Sequence, residues 1–96
     1  MHRHDALRII SEHRDEIAAL GVTSLFLFGS VARDEAGPES DVDVLAEFGG
    51  PVGLFEVVEV QLYLEQILGR RVDLATPGAI RERMRAQVLR EAVRAA

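Results

Sequence analysis

The sequence has no cysteine, no lysine and no tryptophan, and its aromatic residues are four Phe and one Tyr. Without cysteine, neither a disulfide framework nor a thiolate metal site can form. No apolar run approaches the roughly 20 residues that span a bilayer. The first ten residues, MHRHDALRII, are charged throughout and lack the apolar core of a signal peptide, so a cytoplasmic location is expected. No GxxxxGK[ST] and no GxGxxG occurs, which removes the two best-marked mononucleotide and dinucleotide loops. At 96 residues there is room for a single domain, residues 1–96, and 48% hydrophobic with 28% charged residues is a globular composition.

What is present is charge of uneven distribution. The net charge is −5, which argues against a protein that binds a nucleic-acid backbone. Nine acidic residues and no arginine lie between Asp34 and Glu65, whereas from Arg70 onward seven arginines face Asp73, Glu82 and Glu91. The acidic middle suits divalent cations and the basic tail an acidic partner. The plainer reading, solvated faces, holds for most of these charges, including Arg81, Arg83, Arg85, Arg90 and Arg94.

The periodicity predicts an order α-β-α-β-α-β-α. Leu7, Ile10, Ile17 and Leu20 recur at helical spacing over residues 4–20, and Gly21 ends the run. Val22–Phe28 is β-branched and aromatic, a buried strand. GSVARDE starts a short helix with Ser30 as its N-cap, and EAGPES is a loop. Asp41–Phe48 alternates, with Val42, Val44, Ala46 and Phe48 on one face and Asp41, Asp43 and Leu45 on the other. After the turn GGPVG, Leu54–Leu68 is a helix stopped by Gly69. Arg71–Thr76 is a third strand, and Ala79–Ala95 a final arginine-rich helix. The fold class expected is α/β (α+β), with a small mixed sheet of about three strands flanked by helices.

Chemistry concentrates in LFGSVARDEAGPESDVDVLAEF, residues 27–48. A strand turning sharply into a helix exposes that helix's first N–H groups to an anion. Gly29 lets the backbone approach a phosphate, Ser30 adds a hydroxyl, and Arg33 brings a planar fork one turn on. Alternation puts Asp41 and Asp43 on one strand face, where two like charges are tolerated at the surface or around a cation. Mg²⁺ fits, because one or two carboxylates suffice when water and substrate phosphates complete its shell. Asp73, in Val72-Asp73-Leu74, points away from two core residues. If strands 41–48 and 71–76 are neighbours, three carboxylates converge beside an anion-binding turn, as metal-assisted phosphoryl chemistry requires. Leu45 and Ala46 after the acids exclude an EF-hand loop. His2, His4 and His13 read as solvent-facing and Tyr63 as packing, while Glu35 sits near the site and reads equally as a surface residue of the short helix.

GSVARDEAGPESDVDVLAEF resembles the Gly-Ser, ten residues, Asp-x-Asp signature of the DNA polymerase β-like nucleotidyltransferase superfamily. It is most similar to the minimal nucleotidyltransferases (MNT), and the likeness runs from the leading helix to GRRVDLATP and the LREAV tail. The resemblance implies a polymerase-β-like nucleotidyltransferase core. It makes Asp41, Asp43 and Asp73 the catalytic, metal-binding carboxylates for one or two Mg²⁺ ions, with Gly29, Ser30 and Arg33 holding the triphosphate of ATP. Many relatives carry Gly after the arginine, where this chain has Asp34. The resemblance further implies an antitoxin of the HEPN/MNT type, type VII-like, moving AMP from ATP to a hydroxyl, tyrosine, of a HEPN-domain toxin. The alternative is a non-catalytic antitoxin or adaptor that neutralises its partner by binding alone.

Overall fold

A computed structural model describes residues 1–37, 40–79 and 82–96. Elements follow in the order α1 (Arg3–Glu12), α2 (Arg14–Ala19), β1 (Val22–Phe28), α3 (Gly29–Ala32), β2 (Val42–Phe48), α4 (Leu54–Leu68) and β3 (Val72–Ala75). A 3₁₀ turn (Pro77–Ala79), α5 (Glu82–Glu91) and β4 (Val93–Arg94) complete the chain.

The sheet has four strands in the order β3-β2-β1-β4, one more than expected. β1 pairs antiparallel with β2 and with β4, and β2 pairs parallel with β3 through the crossover helix α4. The final helix therefore ends short of Ala95: Ala92 N–H still donates to Val88 O, and the chain then extends beside Phe26 and Leu27. Two residues carry no readable alternation, so only the pairing partner reveals β4.

The expected helix over 4–20 is broken in two at His13, whose backbone leaves the helical region (φ −113°, ψ 16°). Its Nδ1 lies 2.8 Å from Ile9 O, the distance of a ring N–H donating to that carbonyl. The His13 ring also meets Tyr63 edge-on at 6.3 Å. His13 is thus partly buried, not solvent-facing, while His2 and His4 are exposed.

α4 has the bounds its pattern implies. Glu56 Oε2 accepts the Gly53 N–H at 2.9 Å at one end, and Gly69 closes the other in the left-handed region (φ 66°). Its Val60, Leu64 and Leu68, at i, i+4 and i+8, are buried against Leu25, Leu27, Val42, Val44 and Ala46, with Ala6, Ile10 and Ile17 from the first helices. Side chains of α4 also engage Val72 on the outer edge of β3: Gln61 donates to Val72 O at 3.1 Å, and Glu65 accepts from Val72 N–H at 2.9 Å. Val88 of α5 is buried over the other face of the sheet, and the same cavity is lined by Phe26 and Leu45. That cover explains why Leu45, expected on a polar face, is buried. Among the described residues no helix is long and apolar enough to cross a membrane.

Candidate active site

The register brings the sequence-predicted residues to one end of the sheet. Phe28, last of β1, stands opposite Asp43 of β2, and Asp43 stands beside Asp73 of β3. Asp41 immediately precedes β2, and Gly29 and Ser30 immediately follow β1. Across this edge the order is therefore Arg70–Asp73, Ser40–Asp43, Phe28–Ser30.

Phe28 is extended (φ −143°), and the next residue, Gly29, swings to φ +71° to start α3. Two facts make glycine obligatory there. The left-handed backbone disfavours a side chain. A Cβ would also overlap the Asp43 carboxylate, standing 3.1 Å from its Cγ and 3.3 Å from its Cβ. Asp43 therefore lies against bare backbone at the turn.

The Asp43 pKa is raised, first by desolvation, then by the charges of Asp73 and Asp41, with Arg33 opposing. The three carboxylates and the guanidinium thus act on one another electrostatically, with Asp43 innermost and Asp41 and Asp73 exposed. Among the described residues no group of three or more His, Asp or Glu is gathered closely enough to hold a cation as it stands. The donor set is hard oxygen only. It suits a cation of the Mg²⁺ type, which takes one or two carboxylates and completes its shell from water and phosphates.

Ser30 is not the N-cap. Phe28 occupies that position and Ser30 lies inside α3. Its hydroxyl makes no hydrogen bond among the described residues, so it is available to a ligand. Arg33 is engaged: Nη1 donates to Glu91 Oε2 at 2.9 Å and Nε to Glu35 Oε2 at 3.4 Å. Desolvation is the largest single influence on Arg33 and lowers its pKa, but Glu91 and Glu35 outweigh it and the net shift is upward. Sequence reasoning missed Glu91, 58 residues from Arg33, because no local signal links them.

Asp34 sits at φ +60°, a left-handed backbone that glycine adopts without steric cost. Its carboxylate does not project onto the Gly29–Ser30 turn. Oδ1 accepts the Arg3 N–H at 3.0 Å, at the start of α1, and lies 3.4 Å from His2 Nδ1. The Arg3 backbone hydrogen bond is the main reason that the Asp34 pKa is lowered. Arg81 lies outside the described residues, as do the side-chain surroundings of Arg83. Arg85 donates to Pro77 O at 3.3 Å and Arg94 to Ala96 O at 3.1 Å.

Known proteins share this fold. The family model described as "Nucleotidyltransferase domain" matches residues 10–95. The protein adenylyltransferase MntA of Thermococcus cleftensis is 38% identical over 86 residues, 88% of this chain and 87% of that protein. A solved structure described as a candidate minimal nucleotidyltransferase superposes with TM-score 0.82 at 38% identity, covering 97% of this chain and 95% of that one. At 15% identity, where only the fold is shared, a Shewanella oneidensis structure of a tri-AMPylated HEPN toxin with its MNT antitoxin gives TM-score 0.68, covering 94% of this chain and 71% of that one. This chain belongs to the nucleotidyltransferase domain family, as a minimal, polymerase-β-like member, and is a nucleotidyltransferase.

Proposed function

We propose that this nucleotidyltransferase moves AMP from ATP to a tyrosine hydroxyl of a HEPN-domain toxin and so serves as a type VII-like antitoxin in the cytoplasm. The observation that carries this reading is the seating of Asp43 against Gly29 with Asp73 in register beside it. Carboxylates and an anion-binding turn meet there at a single sheet edge.

In this reading Gly29 and Ser30 hold the triphosphate through backbone N–H and hydroxyl donors. Arg33, fixed by Glu91 and Glu35, offers its remaining N–H groups to the same phosphates. Asp41 and Asp43, with Asp73, are the residues that would hold Mg²⁺, which when bound neutralises charge on the phosphates and on the departing pyrophosphate. Asp73 Oδ takes the proton of the acceptor hydroxyl. The hydroxyl oxygen then bonds to the α-phosphorus, and pyrophosphate leaves with the electron pair of the broken P–O bond. The Asp43 pKa is raised first by desolvation and then by the charges of Asp73 and Asp41, and a bound cation would offset both.

A protein acceptor is favoured by the outer side of α4. Leu54, Phe55 and Leu62 are 78%, 89% and 58% exposed there, an apolar face suited to a partner's surface. The HEPN identity rests on the relatives, among which the Shewanella structure pairs an MNT antitoxin with a HEPN toxin.

The test uses ATP labelled at the α-phosphate, Mg²⁺, the chain and its partner toxin. Wild type should label the toxin, and mass spectrometry should locate AMP on a tyrosine. Asp41→Ala with Asp43→Ala should abolish labelling, by a factor of about a thousand or more, while the pair still copurifies. Neutralisation of the toxin that survives the double substitution would instead establish the non-catalytic antitoxin.

A further inference from the structure

Helix α4 is apolar on two sides. Val60, Leu64 and Leu68 are buried in the core, while Phe55, Val58 and Leu62 are exposed on the outside, with Leu54 and the preceding Val52. A helix apolar all round belongs in an interior, so the outer side of α4 is built to be covered. At about 100° per residue, Phe55, Val58 and Leu62 lie within about 60° of one another, at i, i+3 and i+7. That is the narrow seam along which one helix packs on another.

The borders of the seam decide what can cover it. The same spacing puts Glu59 along one border and Glu65 along the other, and α4 contains no basic residue. Glu59 has no hydrogen-bond or ion-pair partner among the described residues, and Glu65 keeps its charge while accepting the Val72 N–H. A second copy of α4 would therefore bring like charge to both borders. Antiparallel pairing about the midpoint of Phe55 and Leu62 sets Glu59 against its own counterpart, and parallel pairing sets it toward the counterpart of Glu65. An anionic bilayer is disfavoured in the same way, because helices that lie on one carry Lys and Arg on their polar face. A helix with the opposite charge on its borders meets no such penalty.

We infer that the outer side of α4 docks an amphipathic helix of the acceptor protein, one whose apolar stripe is bordered by Lys or Arg; that this partner is the acceptor rests on the nucleotidyl-transfer reading. The docked helix is not the segment that is modified. α4 covers the closed face of the sheet, and only its C-terminal end leads, through Gly69–Arg71, to the edge that carries Asp73. At about 1.5 Å per residue, the seam from Leu62 back to Phe55 lies roughly 10–20 Å along the helix axis from that end. The acceptor therefore holds α4 with one segment and presents its hydroxyl with another. Docking raises the local concentration of the hydroxyl and touches none of the reacting atoms. It lowers KM for the protein acceptor and leaves kcat unchanged.

The test has a binding arm and a kinetic arm. Fluorescein-labelled amphipathic peptides of about 20 residues share one leucine stripe, bordered by Lys in the first and by Glu in the second; a third has the Lys composition in scrambled order. Each is titrated with the full chain in the absence of nucleotide. Wild type should hold the Lys-bordered helix about tenfold or more tighter than the other two. Phe55→Ser with Leu62→Ser should bring all three within about twofold, and Glu59→Lys should weaken the Lys-bordered helix and strengthen the Glu-bordered one. With the partner toxin as acceptor, the serine pair should raise KM about tenfold or more, while kcat and affinity for α,β-methylene-ATP stay within about twofold. Equal binding of the three peptides by wild type, or binding of none, overturns the inference. So does an unchanged KM, or a fall in kcat, in the serine pair. A dimer in sedimentation equilibrium that the serine pair dissolves would give the face to a second copy. Binding to phosphatidylcholine–phosphatidylserine vesicles that the serine pair abolishes would give it to a membrane, and either result overturns the inference. Should the serine pair fail to fold, the wild-type preference and Glu59→Lys decide. A wild type that keeps the peptide preference but labels no toxin sinks the transfer reading and leaves the docking face, whereas one that labels toxin without peptide preference sinks only the docking face.

Discussion

On one face of the sheet Leu25, Leu27, Val42, Val44 and Ala46 are buried under α1 and α4, and no buried polar or charged residue interrupts the described core. On the other, Phe26 and Leu45 share a cavity with Val88 of α5, but Phe28, Asp43 and Asp73 are left accessible in open register. The same two strands supply both faces, because their side chains alternate. The closed face concentrates hydrophobic stabilisation. The open face concentrates like charge and a left-handed glycine, both of which cost stability. That division is what a binding site demands of a small fold: the rigid support is spent on one side so that the other can remain electrostatically unsatisfied until substrate arrives.

Substitutions that give effects of opposite kind on the two faces would sharpen the division, and the largest effects are expected at Leu64 and Gly29. Leu64 is fully buried on the closed face. Leu64→Ala should cost about 2–5 kcal/mol in chemical denaturation, and the folded fraction should still bind nucleotide with near-wild-type affinity. Gly29→Ala should cost about 1–3 kcal/mol from its φ alone, and its methyl displaces Asp43. Nucleotide binding and transfer should therefore be lost in protein that remains folded. If the two variants lost binding in proportion to stability alone, the faces would not be functionally separate.

At Asp43 the sign of the stability effect reverses. Asp43 has a folded pKa above its unfolded one, chiefly through desolvation. Between the two values the folded chain holds more protons, so stability falls as pH rises through that window and the penalty is complete above it. Asp43→Asn removes the charge and should raise Tm at pH 7 by roughly a few degrees while abolishing transfer. The gain should shrink as pH falls and vanish below about pH 4. A melting series from pH 3 to 8 checks this, and a gain independent of pH would remove the electrostatic explanation.

The closed face was the legible part of the molecule. β1 and α4 have the bounds that their composition and end signals imply, Val22–Phe28 and Leu54–Leu68. β2 and β3 lie within a residue or two of expectation and are neighbours, as the convergence of Asp43 with Asp73 requires. The parts not legible depend on residues far apart in sequence. β4 exists because Phe26 and Leu27 offer it an edge. The break at His13 depends on a ring nitrogen meeting Ile9 O. Arg33 is defined as much by Glu91 as by its place after Gly-Ser. Local periodicity reports which face of an element is apolar, and is silent on which distant side chain claims a charged group.

Asp34 gives the smallest expected effect and the finest distinction between the faces. It lies on the segment that leaves the open site, yet its carboxylate serves the packed side by accepting the Arg3 N–H at the start of α1. Asp34→Gly relieves the left-handed backbone and loses that acceptor, whereas Asp34→Ala loses the acceptor and keeps the strain. The alanine variant should therefore melt below the glycine variant, with both within a few degrees of wild type. Because the folded pKa of Asp34 is lowered, its contribution is present above the ordinary carboxylate range and lost as pH falls through the folded value. The stabilisation that the Asp34 carboxylate gives over Asp34→Gly should fade below about pH 4, whereas the contribution of Asp43 that fades over the same range is destabilising. ATP-analogue affinity should be unchanged in Asp34→Gly, since the carboxylate is turned toward Arg3 and His2. An affinity that rises on removing this acid would instead place Asp34 among the groups that face the phosphates.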